Sequence, residues 1–526
     1  MAKVRERWGS RLGIILAVAG SAVGLGNFLR FPSQAAQNGG GAFMIPYFVA
    51  LILIGIPLMW AEWTAGRFGG GYGHSSAPGI FHSMARKFRI VKYIGVAGIY
   101  GPLTIYMFYV YIESWCLAFA YYSLIGNLNF ANPEAYVSFL QWYQGVNEAG
   151  FFAGSMPAVV FFLITLLINL SVTYHGIRGG IERLCNIALP ALFILAVILA
   201  IRVLTLDQPV NGTEGEAVRT ASDGLGFLWN PDLSSLKSPT VWLAAAGQVF
   251  FTLSVGMGVI LTYSSYLRKR DDISLSGLTA ASTNEFAEVV LGGSIVIPAA
   301  FVFFGPAFLA DASNLGSFDL GFLAMPQIFA GVPGGAFWGF LWFFILFLAG
   351  ITSSVSLAQP TVAFFEDEFN MTRQKAVKIF GVAVFVLCQP AMWFLHRGVL
   401  DELDFWGGTV IIVIGAAFEI ILLAWVFGMD RAWEELHRGS RLRVPRIFKF
   451  VIKYISPSLL VAMLIWWFVT DWWDVITMVN VPDENVPYVL GIRLVLIGII
   501  LTLCVLVWKA WRGRPDGEPE LEGDEA

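Results

Sequence analysis

The residues most able to do chemistry cluster in two interrupted apolar stretches. One reads Gly20-Ser-Ala-Val-Gly-Leu-Gly-Asn27 and the other Phe251-Thr-Leu-Ser-Val-Gly-Met-Gly258. Each glycine costs a helix about 1 kcal/mol relative to alanine, so Gly20, Gly24 and Gly26 together favour local unwinding. An unwound turn exposes both signs of partial charge: free N–H groups that can hold a carboxylate, and free carbonyls that can ligate a hard cation. Asn27 and Thr252 add neutral oxygens beside the breaks. This is the chemistry of binding, not of bond making. His is scarce, with five residues, and no HExxH pattern, metal-spaced Cys/His cluster or ATP-binding loop is present. Ser353 and Ser354 could serve as nucleophiles, but no His shares their helix and no GxSxG elbow exists.

The elements that must position these residues cross a membrane. Of 526 residues, 57% are hydrophobic and 13% charged, against roughly 25% charged in soluble domains. Apolar stretches of about twenty residues recur from end to end, each long enough to cross roughly 30 Å of hydrocarbon. They do not alternate as barrel strands do, so helices are expected. The spans fall near 12–36, 41–68, 93–123, 157–173, 182–204, 240–267, 277–304, 335–365, 374–394, 398–427, 447–470 and 487–511. The predicted fold class is all-α integral membrane, with about twelve transmembrane helices. Cys116, Cys185, Cys388 and Cys504 lie in apolar segments without short spacing and read as packing residues.

Basic residues alternate between the loops. They occupy 1–11, 86–92, 178–183, 268–270, 373–378, 438–449 and 509–514, whereas 126–156, 305–333 and 471–490 contain no Lys or Arg and the loop near 205–239 has two among several acids. The positive-inside rule then puts both termini in the cytoplasm, across a bacterial-type inner membrane. The cytoplasmic N-terminus 1–11 shows no small-residue cleavage site, which argues against a removed signal peptide. The acidic tail 512–526 reads as disordered.

The two breaks fall in the first span of five and the first span of the next five. An inverted repeat of 12–204 (helices 1–5) and 240–427 (helices 6–10) would place them so, with 447–511 adding helices 11 and 12. Paired interruptions in matching halves point to a solute site near the bilayer middle, as in alternating-access transporters. Close helix packing through small residues is the plainer account. A channel would also need polar breaks, but with a repeated filter that the sequence does not show.

Longer motifs carry a family resemblance. Ala22-Val-Gly-Leu-Gly-Asn-Phe-Leu-Arg-Phe-Pro32, Asn38-Gly-Gly-Gly-Ala-Phe43, Tyr109-Val-Tyr-Ile-Glu-Ser-Trp115 and Gln248-Val-Phe-Phe-Thr-Leu-Ser254 occur in that order. Ser276-Gly-Leu-Thr-Ala280, Gly350-Ile-Thr-Ser-Ser354 and Leu400-Asp-Glu-Leu-Asp-Phe-Trp406 follow. Together they resemble the neurotransmitter:sodium symporters, most of all the bacterial amino-acid branch, over nearly the whole chain. The resemblance implies no enzyme activity, and sodium-coupled import of a neutral amino acid with an apolar side chain.

It also implies roles residue by residue. A first sodium site would use the Ala22 carbonyl, Asn27, Thr252, Asn284 and the substrate's carboxylate. A second would use the carbonyls of Gly20, Val23 and Ala349 with the hydroxyls of Thr352 and Ser353. The substrate pocket would combine Ala22, Leu25, Gly26, Tyr109, Phe251, Thr252, Ser254 and Ser353, with Ile105, Met257 and Leu357 around the side chain. Arg30 and Asp404 would form an outer gate, and Arg5 and Asp367 an inner one with Ser265 and Tyr266 nearby. In the monoamine branch an Asp stands where this chain has Gly24. In chloride-dependent relatives a small neutral residue stands at Glu288, and an anion lies beside residues matching Tyr47, Gln248, Thr252 and Asn284. A built-in carboxylate at Glu288 therefore implies chloride independence. Glu62, Glu113 and Glu419 read as structural hydrogen-bonding groups within or near spans. The expected partners are sodium ions, two by resemblance, an amino acid and the lipid bilayer. No organic cofactor or nucleic acid is expected, and a homodimer is left open.

Overall fold

The computed structural model describes residues 6–130, 132–146, 155–208, 219–231, 233–310 and 317–512. Among them, ten helices are long and apolar enough to cross a membrane. In chain order, with two shorter interrupted helices included, they are α1 (Arg11–Ala22), α2 (Gly41–Gly70), α3 (Val91–Leu124), α4 (Met156–Tyr174), α5 (Ile177–Leu204) and α6 (Pro239–Leu253). The second set is α7 (Ile273–Phe304), α8 (Gly335–Glu368), α9 (Arg373–Trp393), α10 (Val399–His437), α11 (Ile447–Thr470) and α12 (Val486–Trp511). Each predicted span overlaps one of these helices, but α1 and α6 end well before 36 and 267, α5 begins earlier than expected and α10 runs on to His437. Between them, a two-residue antiparallel ladder pairs Asp207–Gln208 with Arg219–Thr220.

Burial sorts the helices into layers. In α3 and α8 the most apolar window is 94% and 83% buried, whereas in α11 and α12 it is 28%. The first pair is therefore the centre of the bundle and the second its lipid-facing rim. Gly350 permits the central contact, because a Cβ there would lie 2.9 Å from Glu113 Cγ. Glu113 is fully buried and accepts from Asn169 Nδ2 of α4 at 3.1 Å, and Ser354 Oγ donates to Asn169 Oδ1 at 2.6 Å.

Two helices are interrupted in mid-course. α1 ends at Ala22, Val23 and Gly24 leave helical geometry (ψ 88° and −165°), and the chain resumes as Leu25–Phe28 and Arg30–Gln37. α6 ends at Leu253, Ser254, Gly256 and Gly258 take φ of 54°, 78° and 75°, and helix resumes over Val259–Ser264. Glu62 of α2 accepts a hydrogen bond from the Gly256 N–H, so an orphan donor of the break is satisfied. Glu113 accepts through both oxygens and Glu62 through Oε1, while among the described residues Glu62 Oε2 and Glu419 Oε1 are buried without a hydrogen-bond partner. The α1 break is shorter than its glycines suggest. Gly20 stays helical because it faces α8, where a Cβ would lie 3.2 Å from Thr352 Cβ. At that position the plainer account, close packing through a small residue, is the right one.

Candidate functional site

The breaks face one another at the centre of the bundle. A cavity of about 30 Å³ between them is lined by Ala22, Gly26, Ile105, Tyr109, Phe251, Thr252, Ser254, Met257, Ser353 and Leu357, all expected around the substrate. Ser21, Gly24 and Asn27 complete the wall. Leu25 is expected at the pocket through its backbone. It lines an adjoining cavity of about 240 Å³ with Arg30 and Asp404, while its N–H donates to Tyr109 Oη at 3.1 Å.

The residues expected at the first sodium site converge. Asn27 Nδ2 donates to Asn284 Oδ1 at 2.8 Å and to Thr252 Oγ1 at 3.2 Å, and Asn284 Nδ2 donates to the same Thr252 Oγ1 at 2.9 Å. Asn27 Oδ1 accepts from Gly24 N at 2.8 Å, which pins the side chain across the break. All three side chains are at most 1% exposed. Uncharged oxygens in a dry pocket suit a hard monovalent cation, which replaces the amide and hydroxyl partners they now use.

The second set gathers α1 and α8. Ser353 Oγ reaches the carbonyls of Gly20 at 3.3 Å and Ser21 at 3.1 Å. Thr352 Oγ1 donates to the Leu348 and Ala349 carbonyls, both at 3.1 Å. Val23 closes α1 above them, its N–H on the Ala19 carbonyl at 2.7 Å. Ser21 is the residue sequence reasoning missed: its carbonyl also accepts from Ser254 Oγ at 3.1 Å, and its hydroxyl from Ser356 at 2.7 Å.

Glu288 stands among the side chains expected around an anion. Its Oε2 accepts from Tyr47 Oη at 2.7 Å, and its Oε1 accepts from Gln248 Nε2. A second carboxylate joins it. α7 widens to a π-turn over Phe286–Gly292, and Glu285 Oε2 also lies 2.7 Å from Tyr47 Oη. A phenol has one proton to donate. Glu285 and Glu288 therefore compete for the single phenol proton.

The two ends of the bundle differ. Arg30 and Asp404 line the larger cavity, yet no ion pair within 4 Å joins them; the Arg30 guanidinium lies 4.5 Å from the centre of the Phe251 ring. At the other end, Arg5 falls outside the described residues, and Asp367 accepts from Ser75 N at 2.8 Å. Tyr266 Oη accepts from Gln359 Nε2 at 3.0 Å, and Ser265 Oγ donates to the Thr262 carbonyl at 2.7 Å.

What ties this end shut came from residues the sequence did not single out. Trp8 Nε1 donates to the Tyr263 carbonyl at 2.9 Å, with the two rings edge-on at 5.2 Å. Glu182 accepts from Gly9 N at 2.7 Å and Ser10 Oγ at 3.0 Å, and Glu6 accepts from Ile177 N at 2.8 Å. Buried Arg373 spans Thr173, Gln359 and Glu366. At the same end, Asp272 caps α7. Partial burial would raise its carboxyl, but the N–H groups of Arg441 and Leu275 and the charge of Arg11 hold it below the usual range.

A multi-pass helical bundle with uncharged oxygens collected at two mid-helix breaks belongs to the class of ion-coupled secondary transporters. Comparison with known proteins gives the family. The model of the sodium:neurotransmitter symporter family matches residues 5–138 and 136–512. An uncharacterized sodium-dependent transporter of Methanocaldococcus jannaschii is 31% identical, over 88% of this chain and 90% of its own length. A second such transporter, YhdH of Bacillus subtilis, is 31% identical over 77% of this chain and 81% of its own. The crystal structure of MhsT in complex with L-phenylalanine superposes with a TM-score of 0.75 at 30% identity, covering 88% of this chain and 99% of that one. The chain belongs to the sodium:neurotransmitter symporter family: it is a sodium-coupled membrane transporter and not an enzyme.

Proposed function

We propose that this transporter imports a zwitterionic amino acid with an apolar side chain, together with two sodium ions, without chloride. The observation that carries the reading is Gly24. A Cβ there would lie 2.8 Å from both Ser353 Oγ and Tyr109 Oη. The position cannot hold an acidic side chain without displacing both groups. The substrate must therefore bring the carboxylate that completes the first sodium site, beside Tyr109 Oη and the N–H groups of the break. Ile105, Met257 and Leu357 offer its side chain only apolar surface. MhsT, bound to L-phenylalanine, supports an amino acid of this kind.

Glu288 takes the anion's place. Its hydrogen bonds to Tyr47 and Gln248 are those an external chloride would receive, and its fixed charge offsets that of sodium. Two carboxyls crowded at Tyr47 would favour taking up a proton when sodium leaves, and so proton counter-transport on the return step. Helices over 12–204 and 240–427 act as two inverted repeats, with α1 and α6 as counterparts. The basic loops face the cytoplasm of an inner membrane, so the strapped end is the inner gate and the Arg30–Asp404 end the outer one.

The test is uptake of each of the twenty labelled amino acids into proteoliposomes, with sodium and with potassium. Sodium-dependent uptake and counterflow of apolar amino acids is expected. Uptake of tryptamine or dopamine as readily as any amino acid would defeat the reading.

A further inference from the structure

Where α10 leaves the membrane its backbone turns sharply. Gly428 adopts φ 104°, and Met429–His437 departs as an amphipathic segment. Buried Arg67 of α2 holds that segment in place, pairing with Glu435 at 2.8 Å and donating to the Asp271 carbonyl at 2.6 Å and the Arg438 carbonyl at 3.0 Å. Between the turn and the start of α11 lies a groove of about 500 Å³, lined by Trp425, Gly428, Asp430, Arg431, Lys453 and Tyr454 among others. Trp425 Nε1 donates to the Lys453 carbonyl at 2.7 Å, so the two walls are tied together.

The groove is amphipathic in one direction. On its membrane side Trp425 and Tyr454 are 52% and 46% exposed. Such aromatics belong at the headgroup level of a bilayer. On its aqueous side the single acid, Asp430, is already paired with Lys449 at 2.6 Å. Arg431 and Lys453 have no carboxylate within ion-pair distance among the described residues; Lys453 Nζ stands 5.1 Å from the Tyr454 ring centre. Two cations without an ion-pair partner within 4 Å among the described residues, above an exposed aromatic wall at the face that carries the basic loop 438–449, complement an anion attached to acyl chains.

We propose that this groove is a binding site for an anionic phospholipid. The phosphate sits against Arg431 and Lys453, and an acyl chain runs down the Trp425–Tyr454 wall. A soluble phosphate would satisfy the cations but leave the aromatics uncovered, which is why a lipid is the occupant.

The test uses the full-length transporter in detergent micelles doped with phosphatidylglycerol or phosphatidylcholine, with bound lipid counted by native mass spectrometry. Phosphatidylglycerol should be retained in preference. Each Lys or Arg beside an anionic lipid is worth about fivefold in affinity, so R431Q/K453Q should weaken retention about thirtyfold. R441Q/R443Q, in the same basic loop but outside the groove, should retain the lipid. A photoactivatable phosphatidylglycerol on the wild type should label the segments holding Trp425 or Tyr454, which keeps the test sound if the double variant misfolds. Equal retention of both lipids, undiminished binding by R431Q/K453Q, equal loss in R441Q/R443Q, or labelling confined to other segments would overturn the proposal. So would glycerol phosphate competing as well as intact lipid, since the site would then hold a soluble anion.

Discussion

The two ends of α1 behave differently. At its start, the segment before it is fastened by Trp8 to Tyr263, by Gly9 and Ser10 to Glu182, and by Glu6 to Ile177. Beyond the break, Arg30 forms no ion pair within 4 Å among the described residues and lies against Phe251, beside a cavity of about 240 Å³. One end is closed by several directed bonds across helices, the other lined by partners that have not met. The break at Val23–Gly24 lets one helix be anchored below and free above. Opening inward must trade several hydrogen bonds, each worth about 1 kcal/mol net, against contacts made at the outer end. Sodium and substrate, bound at the break as proposed, would be placed to bias that exchange.

The largest expected effect attacks the fastened end. Trp8→Ala removes a hydrogen bond and an edge-on ring pair, together about 2 kcal/mol, or about thirtyfold in the inward/outward ratio. Cys185 is fully buried, 3.4 Å from where a Gly20 Cβ would lie, and is a native reporter. Its labelling by a maleimide in potassium should rise sharply in Trp8→Ala; unchanged labelling would mean that the strap does not hold the inner gate. Next comes the element shared by both ends. Asn27→Leu deletes a proposed sodium ligand and should weaken sodium binding tenfold or more, about 1.4 kcal/mol. Substrate affinity should fall with it, because linkage is reciprocal. Scintillation proximity binding at graded sodium checks this, and normal sodium-dependent binding would move the site elsewhere.

A smaller, conditional effect is expected at the anion position. Wild-type uptake should be indifferent to replacing chloride by gluconate, whereas Glu288→Ser should lose uptake severalfold in gluconate and regain it in chloride. Strong chloride dependence of the wild type would sink the assignment of Glu288. The smallest effect belongs to the open end. An exposed ion pair is worth roughly 0–1 kcal/mol, so Asp404→Asn should slow transport while the protein assembles and melts normally. Misassembly would show that Asp404 supports the fold instead of the gate.

The spans were legible because lipid leaves no alternative to continuous helices, and a window of about twenty apolar residues is a strong signal. The breaks were legible because glycines cluster there, although Gly20 belongs to packing and Ser254, an ordinary-looking serine, takes a left-handed φ of 54°. Most of the pocket followed from motif resemblance, and all its expected members but Leu25 line one cavity. Pairings across long separations were not legible. Nothing near Trp8 announces Tyr263, and nothing near Arg67 announces Glu435, because such contacts depend on helix register and tilt. Glu285 was overlooked for a related reason. A regular α-helix puts Glu288 on the face of Asn284, but a π-turn also brings Glu285 to Tyr47. No residue pattern at that point forecasts the wider turn.

The crowded position at Gly24 bears on leakage. A carrier that held both ions without its solute could cycle empty and run down the gradient that drives it. Every sodium crossing alone would dissipate about 2.3 kcal/mol per 100 mV of membrane potential. On the proposed reading, the wall at Gly24 lacks an acid, so the first ion's cage would stay incomplete until an amino acid arrived with its own carboxylate. The solute would then act as the missing part of a lock, and an unloaded carrier would waste little of the potential.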